Sequence, residues 1–297
     1  MPKEQDNKEP EITQNHIDIK KILATKGVKL PSFLVSLLNR LLHVDEINST
    51  IYRYRDKFGI DFANAFVKED LQLNIEITGL ENLPLTGNPI ICSNHPLGGP
   101  DGVALISAIG SIRNDILFPV NDFLLHLPGL RNTFIPIDKV HKSNTNATLL
   151  DEAFASQNTL LYFPAGLCSR RNKHGEIKDL EWKPTVIKKA VKYQRDIVPI
   201  HINAQNRKRF YTIANLRKKL GIKFNFEMAL LPGEMFAQRK KTIKLTIGRP
   251  IPHATFDKRH NPTQWASILR EHTYTLEHKP NATLCDTPLP HSPHHDR

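Results

Sequence analysis

The run Asn94-His95-Pro96-Leu97-Gly98-Gly99-Pro100-Asp101-Gly102 sets a histidine and a carboxylate at the end of an apolar stretch, inside a turn rich in glycine and proline. An imidazole takes a proton from a hydroxyl only when its second ring nitrogen is held in the right tautomer. A neighbouring aspartate holds it so, and stabilises the imidazolium that forms. Spacing alone carries little weight, since chance supplies about 0.75 such His-to-Asp spacings in a chain of this composition. The elements around the pair must decide.

Those elements follow a regular order. Apolar, β-rich runs at 73–78, 89–93, 116–120, 133–137, 159–163, 197–202, 224–230 and 243–247 predict strands, and helical patterns fall at 101–109, 144–156, 184–193, 206–220 and 262–276. This βαβ rhythm predicts an α/β fold: a single domain with a largely parallel central sheet flanked by helices, preceded by N-terminal amphipathic helices. Ligands of such sheets sit at the carboxyl ends of the strands, where His95 and Asp101 fall. At 262 the pair Asn261-Pro262 reads as a helix start, with Asn as cap.

Composition narrows the class. The 297 residues carry 41 Lys and Arg against 30 acids, a net charge of +11, which favours anionic partners: nucleic acid, lipid headgroups or phosphorylated substrates. Cys92, Cys168 and Cys285 are odd in number and widely spaced, which argues against a disulfide framework and offers no zinc spacing. No metal and no cofactor are expected. The first residues lack a secretory pattern, and no run reaches the roughly 18 apolar residues of a spanning helix, so a cytoplasmic location is expected. Within 30–44, Phe33, Leu34, Leu37, Leu38, Leu41 and Leu42 recur at helical spacing around Arg40. Two readings stay open there: an interfacial helix on the membrane, or an amphipathic helix packed on the core. Residues 1–28 and 279–297 are polar or rich in Pro and His, and read as a flexible leader and a disordered tail. The domain proper then spans 29–278, with 29–70 as its helical N-terminal part.

Four strand ends together resemble the superfamily of glycerolipid acyltransferases, over roughly residues 70–250. Ile90-Ile91-Cys92-Ser93-Asn94-His95 with Asp101 is similar to the family's Asn-His, spacer, Asp motif. The spacer here has five residues where most members have four; Gly98-Gly99 can absorb the extra residue through backbone angles closed to other residues. This longer form resembles a haemolysin-like subgroup of lysolipid acyltransferases. Thr133-Phe134-Ile135-Pro136-Ile137-Asp138-Lys139 is similar to the Phe-Ile-x-Arg region, with Lys139 in place of Arg. Leu161-Tyr162-Phe163-Pro164-Ala165-Gly166-Leu167-Cys168-Ser169-Arg170-Arg171 resembles Phe-Pro-Glu-Gly-Thr-Arg-Ser, with the Glu and the Arg replaced. Ile197-Val198-Pro199-Ile200-His201 resembles the family's Val-Pro-Val/Ile strand.

The resemblance implies transfer of a fatty acyl group from acyl-CoA or acyl carrier protein to a lysolipid hydroxyl, with His95 as base, Asp101 as its orienting partner and no covalent intermediate. It implies substrate contacts from Asn94, Gly98, Gly99, Lys139, Phe163, Pro164, Gly166, Ser169, Arg170 and Arg171. The backbone of Gly98, Gly99 or Gly166 would meet the oxyanion. Acceptors in play are lysophosphatidic acid, a lysophospholipid, or a monoacylated ornithine or glycine lipid, reached by peripheral contact with the cytoplasmic face of the membrane. Two other classes stay open. A thiol hydrolase would use Cys168 or Cys92. A basic protein binding membrane or nucleic acid would use the 207–223 helix, although Phe210, Ile213, Leu216 and Leu220 form the stripe of a packed helix and no nucleic-acid motif accompanies them, so nucleic acid is not an expected partner.

Overall fold

In a computed structural model, which describes residues 16–25, 27–120, 127–136 and 144–287, most of the predicted strands join one seven-stranded sheet. The chain begins with α1 (Ile19–Thr25), α2 (Ser32–Leu41), α3 (Val44–Arg53) and α4 (Gly59–Ala65), which runs into a π turn at Phe66–Asp70. There follow β1 (Asn74–Thr78), β2 (Ile90–Ser93), α5 (Gly99–Ile109), β3 (Ile116–Val120), β4 (Phe134–Pro136), α6 (Asn144–Ala155) and β5 (Thr159–Tyr162). The rest comprises a small β6 (Arg170–Arg171) and β7 (Ile177–Lys178) hairpin, α7 (Thr185–Lys192), β8 (Ile197–Asn203), α8 (Lys208–Lys219), α9 (Leu231–Phe236), β9 (Thr242–Ile247) and α10 (Pro262–Thr275).

The strand order is β1-β9-β8-β2-β5-β3-β4. Strands β8, β2, β5, β3 and β4 run in one direction; β9 opposes β8, and β1 is parallel to β9. Both faces are covered, which is why the central strands read as unbroken apolar runs. Ile91, Leu161 and Val198 pack with α4 and α5 on one face; Ile90, Leu160 and Ile197 pack with α6, α7 and α10 on the other. The carboxyl ends of β8, β2 and β5 therefore lie side by side at one edge.

One close approach fixes α5 on this sheet. Gly102 lies so near Phe118 of β3 that a Cβ there would stand 2.6 Å from the ring. Gly102→Ala is expected to lower stability by about 1–3 kcal/mol despite the better helix propensity of alanine, because Phe118 must leave its place. Thermal melting checks this: at roughly 2–4 °C per kcal/mol the fall is measurable, and an unchanged Tm would mean the ring moves aside freely.

Several expectations are revised. The 224–230 run is not a strand; Phe226–Leu230 forms a 3-10 turn, because Glu227 is drawn inside between two arginines, Arg170 and Arg217, and takes the segment off a sheet edge. The 30–44 segment breaks at His43, whose φ of 51° is left-handed. No residue of α2 is fully buried: Leu38 and the following Leu42 pack against the core from one side, while Phe33, Leu37 and Leu41 are exposed on the other, so core packing covers only part of its apolar surface. In α8 the buried stripe is Phe210, Tyr211 and Ala214, while Leu216 and Leu220 face outward. Packed structure also extends past both expected ends. Asn48 clasps the backbone of buried Ile17 through N–H and C=O, and Ala282 and Thr287 are buried, the latter against His272. At the amino end the contacts are Ile17, Ile19, Ile22 and Leu23, a stripe on and just before one short helix, and at the carboxyl end Ala282 and Thr287 stand apart without periodicity. Residues 288–297 lie outside the described part.

Candidate active site

Strand β2 ends at Ser93, and the next five residues turn the chain back into α5. Gly98 makes that turn possible: its φ of 92° and ψ of −121° suit glycine alone. The helix opens with Gly99 and Pro100 in its first turn, and Asp101 follows at the third position, where a carboxylate meets the unpaired N–H groups of a helix start. Its Oδ2 accepts the N–H of Leu97 at 2.8 Å and of Gly98 at 3.0 Å. Nδ1 of His95 stands 2.9 Å from the same oxygen. Two N–H groups thus hydrogen-bond to Oδ2 and Nδ1 approaches it at ion-pair distance, off the line of a hydrogen bond, while Oδ1 has no partner among the described residues. Burial raises the Asp101 carboxyl above the usual carboxylate range, against the opposing pull of His95 and the two N–H groups.

The imidazole is part-exposed and lies on Phe163, the residue after β5, with centroids 4.1 Å apart and planes 19° from parallel. Phe163 in turn meets Phe118 edge-on, and Phe118 meets Phe134 of β4. An aromatic row therefore runs beneath the turn from the sheet edge to His95.

The backbone of His95 is held from below. Its N–H donates to Asp179 Oδ1 at 3.1 Å, and its carbonyl accepts the Ser169 N–H at 2.7 Å. The same Asp179 accepts the Ser169 hydroxyl at 2.6 Å and the Trp182 indole at 2.8 Å. Sequence reasoning missed Asp179 and Trp182; the one signal was a tryptophan in an otherwise charged loop.

The expected substrate contacts divide. His95, Asp101, Gly98, Gly99 and Phe163 come together at the turn, and Pro164, Gly166 and Ser169 lie in the adjoining loop. Asn94 is not free for substrate: its Oδ1 accepts the Ile202 N–H at 2.7 Å and its Nδ2 donates to the Ile202 carbonyl at 2.9 Å, clamping β2 to β8. The Ser169 hydroxyl is likewise taken by Asp179. Arg170 turns inward, donating to Glu227 at 3.1 Å and to the Cys168 carbonyl at 2.6 Å, with its guanidinium over Phe210. Arg171 donates to Thr212 on the surface. Lys139 lies outside the described residues.

Among backbone donors, the Gly98 N–H serves Asp101 and the Gly166 N–H serves the Phe163 carbonyl. Both thiols near the site are buried: burial pushes Cys168 up to about 11 and Cys92 well above its ordinary value, so each stays protonated at neutral pH, contrary to what a thiol nucleophile needs. A cleft of about 570 Å³ adjoins the turn through Asn94, Pro96 and Ser169, but His95 is not among its walls.

A mostly parallel sheet that gathers a histidine, its aspartate and a glycine turn at one carboxyl edge places the chain in the class of α/β enzymes. The profile of the protein family described as Acyltransferase matches residues 20–283. A lyso-glycine lipid O-acyltransferase of Phocaeicola vulgatus is 47% identical over 266 residues, 88% of this chain and 95% of that protein. One of Bacteroides thetaiotaomicron is 45% identical over 266 residues, 88% and 97% of the two chains. The chain belongs to this acyltransferase family and is an acyltransferase. A crystal structure of the 1-acyl-sn-glycerophosphate acyltransferase PlsC from Thermotoga maritima is similar at a TM-score of 0.47 and 15% identity, over 86% of this chain and 92% of that one.

Proposed function

We propose that the enzyme O-acylates the hydroxyl of a monoacylated glycine lipid, taking the acyl group from a thioester donor, acyl-CoA or acyl carrier protein. The observation that carries the mechanism is the His95–Asp101 pair at the end of β2. Asp101 beside Nδ1 favours the tautomer protonated there, which leaves Nε2 to take the acceptor proton as the hydroxyl oxygen attacks the thioester carbon. The tetrahedral oxyanion collapses with loss of the thiolate, which receives the proton from the imidazolium. Of the glycine N–H groups at the turn, that of Gly99, at the start of α5, has no partner among the described residues and is the donor we assign to the oxyanion.

The acceptor follows from what is missing. The arginine nearest the loop, Arg170, is occupied by Glu227, and Ala165 stands where the family carries Glu. A phosphate acceptor thus loses a charge-assisted contact, whereas the single carboxylate of an acyl-glycine asks for less. The names of the two curated relatives agree. Among the described residues no helix is long and apolar enough to cross a membrane, and we place exposed α2 on the cytoplasmic leaflet as the route to lipid.

Purified protein offered acyl-CoA or acyl carrier protein donors and a panel of acceptors tests this, with products read by mass spectrometry. The monoacylated glycine lipid is expected to exceed lysophosphatidic acid by about tenfold or more in kcat/KM, the worth of one charge-assisted contact. The reverse preference would overturn the acceptor assignment, and transfer unaffected by loss of the His95 ring would overturn the mechanism.

A further inference from the structure

The stretch that links α8 to the 3-10 turn is unlike the rest of the surface. From Arg207 to Phe226 seven residues are Lys or Arg and none is acidic; the first acid, Glu227, is fully buried. Within the same stretch Leu216, Leu220, Ile222, Phe224 and Phe226 are exposed, Phe224 to 78% and Leu220 to 64%. Single exposed apolar residues are ordinary, but five in eleven positions beside Lys218, Lys219 and Lys223 are not. Apolar side chains that enter the acyl boundary, with cations that meet anionic headgroups, are what an interfacial element requires.

We propose that residues 216–226 form a second membrane foot that docks on an anionic bilayer alongside α2. The proposal rests on the reading of the chain as an enzyme acting on lipid acceptors. Position supports it. A groove of about 250 Å³ joins Leu37, Arg40 and Leu41 of α2 to Arg209, Leu230 and Gly233, so α2 borders the first turn of α8 and the segment that leads out of the foot. The next residue, Leu231, packs on the catalytic turn: a Cβ on Gly98 would stand 3.1 Å from it. On the other side Glu227 ties the foot to Arg170, one residue from the Ser169 that holds His95. A foot set on the bilayer thereby brings the His95 turn to the lipid surface.

Flotation with vesicles of phosphatidylcholine alone, and with added phosphatidylglycerol, tests the foot. We compare wild type with Leu220→Ser/Phe224→Ser and with Lys218→Gln/Lys219→Gln/Lys223→Gln. Wild type is expected to bind the anionic vesicles and to release them at high salt. Each variant is expected to bind roughly tenfold or more weakly, with turnover of acceptor in detergent micelles unchanged, since these side chains point to solvent. Unaltered vesicle binding by both variants would overturn the proposal. So would a lysine variant that loses only turnover with acyl carrier protein, or an apolar variant that changes oligomeric state while still binding vesicles. Micelle turnover separates this from the enzymatic reading: a wild type inactive in micelles fails that reading, whatever the vesicles show.

Discussion

His95→Ala is expected to reduce kcat for acyl transfer by about 10²–10⁴, the usual worth of a positioned general base, with little change in melting temperature because the ring is part-exposed. Asp101→Asn divides the chemistry more sharply. All three contacts of the carboxylate converge on Oδ2, so the asparagine oxygen can keep them, and what is lost is the charge that stabilises the imidazolium. Activity is expected to fall by a comparable factor. Stability moves the other way with pH. Desolvation, the leading influence, raises the folded-state pKa of Asp101, against hydrogen bonds and charge from His95 and the Leu97 and Gly98 N–H groups. A raised folded pKa gives a contribution to stability that is fully present below the unfolded value of about 3.9 and is lost as pH rises through the folded one. Wild type therefore loses stability from this source as pH leaves the carboxylate range, and the Asn variant does not. The gap in Tm, variant minus wild type, should grow between pH 4 and pH 7; any fixed cost of the new amide cancels from that change. A flat gap together with full activity would remove Asp101 from the mechanism.

Much of this site was legible in local chemistry. The two glycines in the spacer from His95 to Asp101 allowed backbone angles closed to other residues, and Gly98 takes them. The central strands announced themselves because burial on both faces leaves unbroken apolar runs. What could not be read were partners distant in sequence. Arg170 lies beside Ser169 and was expected to face substrate, yet Glu227, 57 residues further on, turns it inward. Asp179 sits in a charged loop with no periodicity, 84 residues from the His95 N–H it accepts. Leu216 and Leu220 kept helical spacing with Phe210, but α8 buries the stripe one position over. Periodicity reports that an apolar face exists, and only tertiary packing decides whether protein or another medium covers it.

Glu227→Ala is expected to produce the largest loss of stability. The carboxylate is fully buried and pairs with Arg170 at 3.1 Å and Arg217 at 2.8 Å, both mostly buried themselves. Removing the acid leaves two guanidinium groups facing each other without their counter-ion, a cost of about 3–5 kcal/mol for a broken buried pair, or roughly 10 °C in Tm for a domain of this size. The buried position itself is not the cause, and a triple replacement shows why: Arg170→Met/Glu227→Met/Arg217→Met removes every charge together, keeps the volume, and is expected to recover most of the lost stability. Activity separates two roles for Arg170. If it only holds the loop, Arg170→Met lowers Tm and kcat/KM together through the displaced Ser169–His95 contact, and the triple variant restores both. If it reads the acceptor, Arg170→Met raises KM with Tm unmoved, and the triple variant stays impaired. Its guanidinium is bonded to the Cys168 carbonyl and to Glu227 and lies over Phe210, which leaves it no geometry for a lipid headgroup, so the first outcome is the one the structure requires.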